Sequence, residues 1–274
     1  MMNIIADTIP YQIETAFSPF LPSQLELALK TIKKSGFTGV EYAICYPDRV
    51  IPADIMQVTK KYGLKITSIS TGQIFGRENS SLIHEDAERR KYAIEILKNH
   101  ISLSYDIERP NVTIGLIRGL RGKIPLEKAK TMLMEALDPC INEAEKKGVL
   151  LQIEPICREE ADFLNNVSET AELIHQLGDP PNVGILFDIY HSNVEKEDYK
   201  DVFQKYGNLI FNVHYSDTDR GLPKEDSSIH FQQITEELKM IGYYGALTLE
   251  AKSIPSKNYS IRHRGEAMRF ATSF

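Results

Sequence analysis

The sequence predicts an α/β fold: one (β/α)8 TIM barrel spanning residues 1–274. Three observations predict it. Short apolar segments alternate with amphipathic ones along the whole chain, as expected of parallel strands covered by helices. Roughly eight such units occur, and a closed barrel of that number takes about 250 residues. No strand runs into a Gly-x-Gly-x-x-Gly turn, which weakens a doubly wound open sheet as the runner-up. No linker-like or low-complexity tract divides the chain, so a single domain is expected.

The elements follow in order. "NIIA" starts the first strand. The first helix lies in "PSQLELALKTIKKSG", where Leu25, Ala28, Leu29 and Ile32 fall on one face. Ser23 and Glu26 have capping-box spacing and Gly36 supplies a stop. "TGVEYAI" is a strand, "DIMQVTKKYG" a helix and "LKITSIS" a strand. "EDAERRKYAIEILKNHISLS" is helical and "NVTIGLI" extended. "EKAKTMLMEALDPCINEAEKKG" is helical, with Pro139 expected to bend or interrupt it. "VLLQIE" is a strand. "NVSETAELIHQLG" is a helix capped by Asn166 and Glu169, and "VGILFD" a strand. "EDYKDVFQKYG", "LIFNVH", "FQQITEELKMIG" and "ALTLE" continue the alternation, and a last helix lies in "RHRGEAMRFA".

Composition narrows the function. The chain is 42% hydrophobic and 26% charged, with net charge −6 and a pI near 5.7. A nucleic-acid binder usually carries a basic surface, so no nucleic-acid partner is expected. No apolar run of about 18 residues occurs, so no membrane span is expected. The opening "MMNIIADTIPYQIE" lacks the regions of a secretory signal. Cys45, Cys140 and Cys157 are odd in number and widely spread, which suits a reducing cytoplasm rather than a disulfide framework. Cys157 reads as a small packed side chain, no base partner being evident.

Four late strands end alike. "VLLQI" meets Glu154, "VGILF" meets Asp188, "LIFNV" meets His214 and "ALTL" meets Glu250, 26 to 36 residues apart. One such residue alone would be a solvated loop start or a helix cap. Four in succession, on strands whose C-terminal ends share one rim, are expected to converge. Three carboxylates beside one imidazole repel each other unless a divalent cation joins them. Oxygen-rich ligation with one nitrogen favours Mn2+, with Mg2+, Co2+ or Zn2+ also compatible.

These residues and their neighbours resemble the xylose-isomerase-like TIM-barrel superfamily of sugar isomerases and epimerases, nearest the D-tagatose/D-psicose 3-epimerase group. "EPICREE" is similar to that group's Glu-x-x-x-Arg-x-Glu segment, and "FDIYH" to its Asp-x-x-His segment. "HYSDTDR" matches its His followed six residues later by Arg, and "LTLE" its last Glu-bearing strand. The resemblance implies that Glu154, Asp188, His214 and Glu250 bind the metal. It implies that Glu160, His191 and Arg220 hold the substrate, with Arg158 in support. It also implies a sugar substrate and a homo-oligomer, dimer or tetramer. In the first half, residues around Tyr42, Gly72 and Gln73 are expected to shape the pocket. "EEADFLNN" lacks the Pro-Gly-Phe turn of the hydroxypyruvate-isomerase branch, which favours the epimerase side.

The expected chemistry is proton abstraction beside a carbonyl through a metal-stabilised enediolate, with Glu154 and Glu250 as acid and base. Ketose 3-epimerisation and aldose–ketose isomerisation both fit. The alternatives are a metal-dependent dehydratase of polyol or dehydroshikimate type, an enzyme of phosphorylated ketoses, and a non-catalytic sugar-binding module. Lys252, Lys257, Arg262 and Arg264 lie where barrels often bind phosphate, but no Gly-rich anion cradle accompanies them, so free sugars are favoured. An apurinic-site endonuclease would need further histidines, and "LKITSIS" and "NVTIGLI" end without them.

Overall fold

The computed structural model describes residues 4–273. Eight parallel strands pair in sequence order, and β1 (Ile5–Pro10) closes the barrel against β8 (Ala246–Leu249). Between them lie β2 (Gly39–Ala43), β3 (Lys65–Ser70), β4 (Asn111–Ile114), β5 (Leu151–Ile153), β6 (Val183–Asp188) and β7 (Ile210–Tyr215). The covering helices are α1 (Leu25–Lys34), α2 (Pro52–Lys61), α3 (Gln73–Glu78), α4 (Ala87–Asp106) and α5 (Leu126–Lys147). They continue with α6 (Val167–Gln176), α7 (Ile189–Glu195), α8 (Tyr199–Tyr206), α9 (Phe231–Met240) and α10 (Lys257–Thr272). The closed barrel expected from the alternation is present. The "NIIA" strand begins at Ile5, and residue 3 lies outside the described residues.

The main core lies between strands and helices, where Ile32, Leu97, Leu133, Ile174, Phe203, Leu238 and Met268 are buried. The barrel interior is different. Thr8, Glu41, Ser68, Asn212 and Thr248 are each at most 2% exposed, and their hydrogen bonds link strands that are not neighbours. Barrel interiors are usually packed with branched aliphatics; here a polar layer lies beneath the rim.

Local signals were realised unevenly. Asn166 and Glu169 cap α6 reciprocally: Glu169 N donates to Asn166 Oδ1 at 2.9 Å, and Asn166 Nδ2 to Glu169 Oε1 at 3.0 Å. The Ser23–Glu26 box does not form. A 3-10 turn, Pro22–Gln24, precedes α1, and Leu21 N donates to Gln24 Oε1 at 3.1 Å. Glu26 instead accepts from Lys61 Nζ at 2.6 Å. Pro139 does not interrupt α5, which runs on through 22 residues. A proline removes one helix hydrogen bond, and the buried face formed by Leu133, Ala136, Leu137, Cys140 and Ile141 holds the helix across that gap.

Arg264 fastens α10 to β1. Its Nε and Nη2 both donate to the Asp7 carboxylate, and both side chains are fully buried. This removes Arg264 from the basic group expected after Glu250. Among the described residues, no helix is long and apolar enough to cross a membrane. The three cysteines are free and buried.

Candidate metal centre

The four strand-end residues sit at one rim. Glu154 follows β5, Asp188 ends β6, His214 is the last residue but one of β7, and Glu250 follows β8. Consecutive parallel strands bring these positions together, and Asp188 and His214 are direct partners across β6 and β7. One ligand atom from each residue lies within 4.8 Å of the others. His214 Nδ1 is 3.4 Å from Glu250 Oε2 and 3.8 Å from Asp188 Oδ2. Asp188 also caps α7, its Oδ1 accepting from His191 N at 3.1 Å. The cap aims the carboxylate: one oxygen is committed to the helix and the other to the cluster.

The donor set fits one divalent cation. His214 Nδ1 is buried without a hydrogen-bond partner, although its other nitrogen, Nε2, is 3.1 Å from Glu41 Oε2. The charge is unbalanced, with three carboxylates facing the Arg220 guanidinium. Burial, then the neighbouring Glu250, pushes the Glu154 carboxyl up to about 8. Burial alone would push His214 down, but the Glu41 and Glu250 carboxylates outweigh it and hold the imidazole well above its ordinary value. Glu154 keeps its proton chiefly because it is buried, and His214 because carboxylates surround it; a cation among them would favour the loss of both protons. Three carboxylates and one imidazole are ligands for a hard or borderline divalent ion.

Arg220 reaches the same point. Its Nη1 lies 3.1 Å from Asp188 Oδ2 and 3.3 Å from Glu250 Oε2, and its Nη2 lies 3.5 Å from Glu160 Oε2. The guanidinium is stacked against Phe17 and Tyr190, at 4.9 and 4.3 Å from the ring centroids. Its backbone has φ +62°, a left-handed conformation that non-glycine residues adopt at some cost. Asp217 pins the loop: Oδ1 accepts from Thr218 N and Ser227 Oγ, and Oδ2 from Lys224 N.

His191 Nε2 lies 2.9 Å from Arg220 Nη2. Arginine only donates, so Nε2 accepts, while Nδ1 lies 3.2 Å from Cys157 Sγ and 3.3 Å from the Cys157 backbone N, whose N–H is aimed at it. Burial, reinforced by Arg220, holds His191 well below its ordinary value, hence neutral. Cys157 therefore has an imidazole neighbour that the sequence did not reveal. Arg158 lies apart from the cluster. Its side chain is 74% exposed and paired with Glu195 of α7, with Nε 2.9 Å from Oε2.

Sequence reasoning missed three residues. Glu41 lies inside an apolar strand, with no strand-end signal. Gly115 makes room for Glu154: a Cβ there would sit 2.7 Å from Oε2. Arg118 is fully buried, and its Nη1 donates to the Glu154 carbonyl at 2.8 Å while Nη2 reaches the carbonyls of Phe163 and Leu164. Of the first-half residues, Tyr42 points its hydroxyl at Thr59 of α2, 2.7 Å away, and so faces the helix layer. Gln73 ties down the loop after β1 by donating to the carbonyls of Ile13 and Glu14. Gly72 is the residue before α3.

The model of the xylose isomerase-like TIM barrel family matches residues 29–270. The chain belongs to that family. A probable ketose 3-epimerase from Synechocystis sp. is 27% identical over 238 residues, covering 85% of this chain and 80% of its own. An L-ribulose 3-epimerase from Mesorhizobium japonicum is 26% identical over 234 residues, covering 84% and 76%. A solved structure of an L-ribulose 3-epimerase superposes with a TM-score of 0.83 at 22% identity, over 99% of this chain and 95% of that one; at that identity the likeness speaks for the fold.

Proposed function

We propose that this chain is a divalent-metal-dependent epimerase that inverts free ketoses at carbon 3, with Mn2+ the favoured ion. The observation that carries the reading is a division of labour among the four ligands. Asp188 and His214 are sealed, at 0% and 1% side-chain exposure, whereas Glu154 and Glu250 keep 12% and 13%. The two carboxylates open to the mouth stand on β5 and β8, the outer strands of the four, and so bracket whatever enters. The names of the relatives, ketose and L-ribulose 3-epimerases, support the substrate class.

A divalent cation held by Glu154, Asp188, His214 and Glu250 would polarise the substrate carbonyl and make the neighbouring C–H acidic. A glutamate that holds the cation through one oxygen keeps the other for proton transfer. One glutamate takes the carbon-3 proton and the other returns a proton to the opposite face, which inverts the centre. Arg220 donates to substrate oxygens that gain charge, and its stacking between Phe17 and Tyr190 presets its plane. The Glu160 carboxylate accepts from a sugar hydroxyl, and His191 Nε2, accepting from Arg220 Nη2 at 2.9 Å, holds the guanidinium toward the substrate. Arg264, committed to Asp7, is withdrawn from any phosphate site, which supports a free sugar. The same reading takes the chain as a single-domain cytoplasmic enzyme that assembles as a dimer or tetramer.

Glu154→Gln and Glu250→Gln test the pair. Each should lower turnover by about 10²–10⁴-fold while circular dichroism remains that of the parent. Full activity in either variant contradicts the assignment.

A further inference from the structure

We propose that Glu41 is a positioning residue for the metal site, orienting His214 so that Nδ1 faces the cation. This rests on the metal-binding reading of the four rim residues. Glu41 stands in the middle of β2 and is 0% exposed. It lies inside the barrel below the mouth, sealed from solvent. A carboxylate buried this way costs several kcal/mol unless its oxygens are satisfied, so its partners indicate what it does.

Those partners come from three other strands. Thr8 Oγ1 of β1 donates to Oε1 at 3.5 Å. Ser68 Oγ of β3 donates to Oε2. His214 Nε2 of β7, three strands away around the barrel, lies 3.1 Å from Oε2. Thr8 and Glu41 are register partners. A bulge between Val40 and Glu41 brings Ser68 opposite Glu41, the kind of local shift that re-aims a side chain. The network continues outward: Asn212 Nδ2 donates to Ser68 Oγ at 3.3 Å, and Thr248 Oγ1 to Asn212 Oδ1 at 3.3 Å. Five strands thus hold one carboxylate against one imidazole.

The consequence is chemical. An imidazole that ligates a metal through Nδ1 must carry its proton on Nε2. A carboxylate at Nε2 selects that tautomer, fixes the ring plane and raises the ligand's basicity. Without it, the ring can turn or present Nδ1–H to Asp188 and Glu250, closing the coordination position. Glu41 does this without reaching the substrate.

The test is Mn2+ binding by calorimetry to the wild type and to Glu41→Gln. The substitution keeps the size of the side chain and removes the charge. The account expects about 10–100-fold weaker binding in a variant whose circular dichroism matches the parent. Wild type that binds Mn2+ alongside a variant within twofold of it overturns the role of Glu41 alone. Wild type that binds no Mn2+ overturns the site reading and this inference with it. If Glu41→Gln does not fold, Glu41→Asp decides: its shorter side chain draws the carboxylate away from His214 Nε2, so Mn2+ binding weakened by about 10-fold or more supports the inference and binding within twofold of the wild type overturns it.

Discussion

Metal binding should release protons, and the amount follows from the site. Glu154, whose ordinary value is 4.5, is pushed up to about 8 by burial and by Glu250. At pH 7 such a group is about 90% protonated, so coordination expels about 0.9 proton from it. His214, held above its ordinary value by Glu41 and Glu250 against the effect of burial, brings the total to between about one and two protons. Mn2+ affinity should therefore rise about tenfold per pH unit for each proton released, from pH 6 until Glu154 titrates near 8. The sign for stability is the same for both groups. Each has a folded-state value above its unfolded one, so the stability it lends is complete below the unfolded value and is lost as pH rises through the folded one. The metal-free protein should lose thermal stability from these two groups as pH rises toward 8, and the stabilisation by Mn2+ should grow over the same range. Calorimetry in two buffers of different ionisation enthalpy counts the protons. An affinity unchanged between pH 6 and 8, with no buffer-dependent heat, would refute the reasoning.

Three further outcomes are expected. Gly115→Ala places a Cβ 2.7 Å from Glu154 Oε2, so Mn2+ affinity and turnover should fall together by about tenfold or more, the loss of about 1.4 kcal/mol at the displaced ligand, while the melting temperature changes little; parent-like kinetics would contradict the placement. Asp7→Ala strands Arg264 in the core and should cost about 3–5 kcal/mol in denaturant unfolding, with Asp7→Leu combined with Arg264→Leu recovering much of it; a single variant as stable as the parent would show that the pair is not what holds α10 to β1. Arg158→Ala, made at an exposed side chain paired with Glu195, should leave kcat and KM within about twofold of the parent, since about a 0.4 kcal/mol change is all that ratio spans; a large KM increase would show that Arg158 supports the substrate site after all.

The legible part of the fold and site was that governed by local pattern. Strand–helix alternation is a repeated signal, and the four candidate ligands stand where an apolar run stops, so Glu154, Asp188, His214 and Glu250 were visible as a series. Arg220 and His191 came into view only through the resemblance of "HYSDTDR" and "FDIYH" to the family's motifs. Glu41 was not, because a lone acid within "TGVEYAI" has no periodic signature and its partner is 173 residues away. Gly115 and Arg118 act on Glu154 through loop geometry, which spacing does not encode. The short helices α3 and α7 have too few residues for a helical period to emerge. Ser23–Glu26 failed as a cap because the chain enters α1 through a 3-10 turn, and Arg264 was misplaced because a basic residue in a charged run gives no sign of the buried Asp7 it meets.

The central claim is inversion at carbon 3, and deuterium labelling tests it most directly. The Mn2+-loaded protein would be incubated with a panel of free ketoses in D2O, beside a chelator-treated control, and the products read by NMR. A 3-epimerase places deuterium at carbon 3 with inverted configuration, present with Mn2+ and absent in the control. Deuterium at carbon 1 with formation of an aldose, or no exchange at carbon 3 in any ketose, would contradict it.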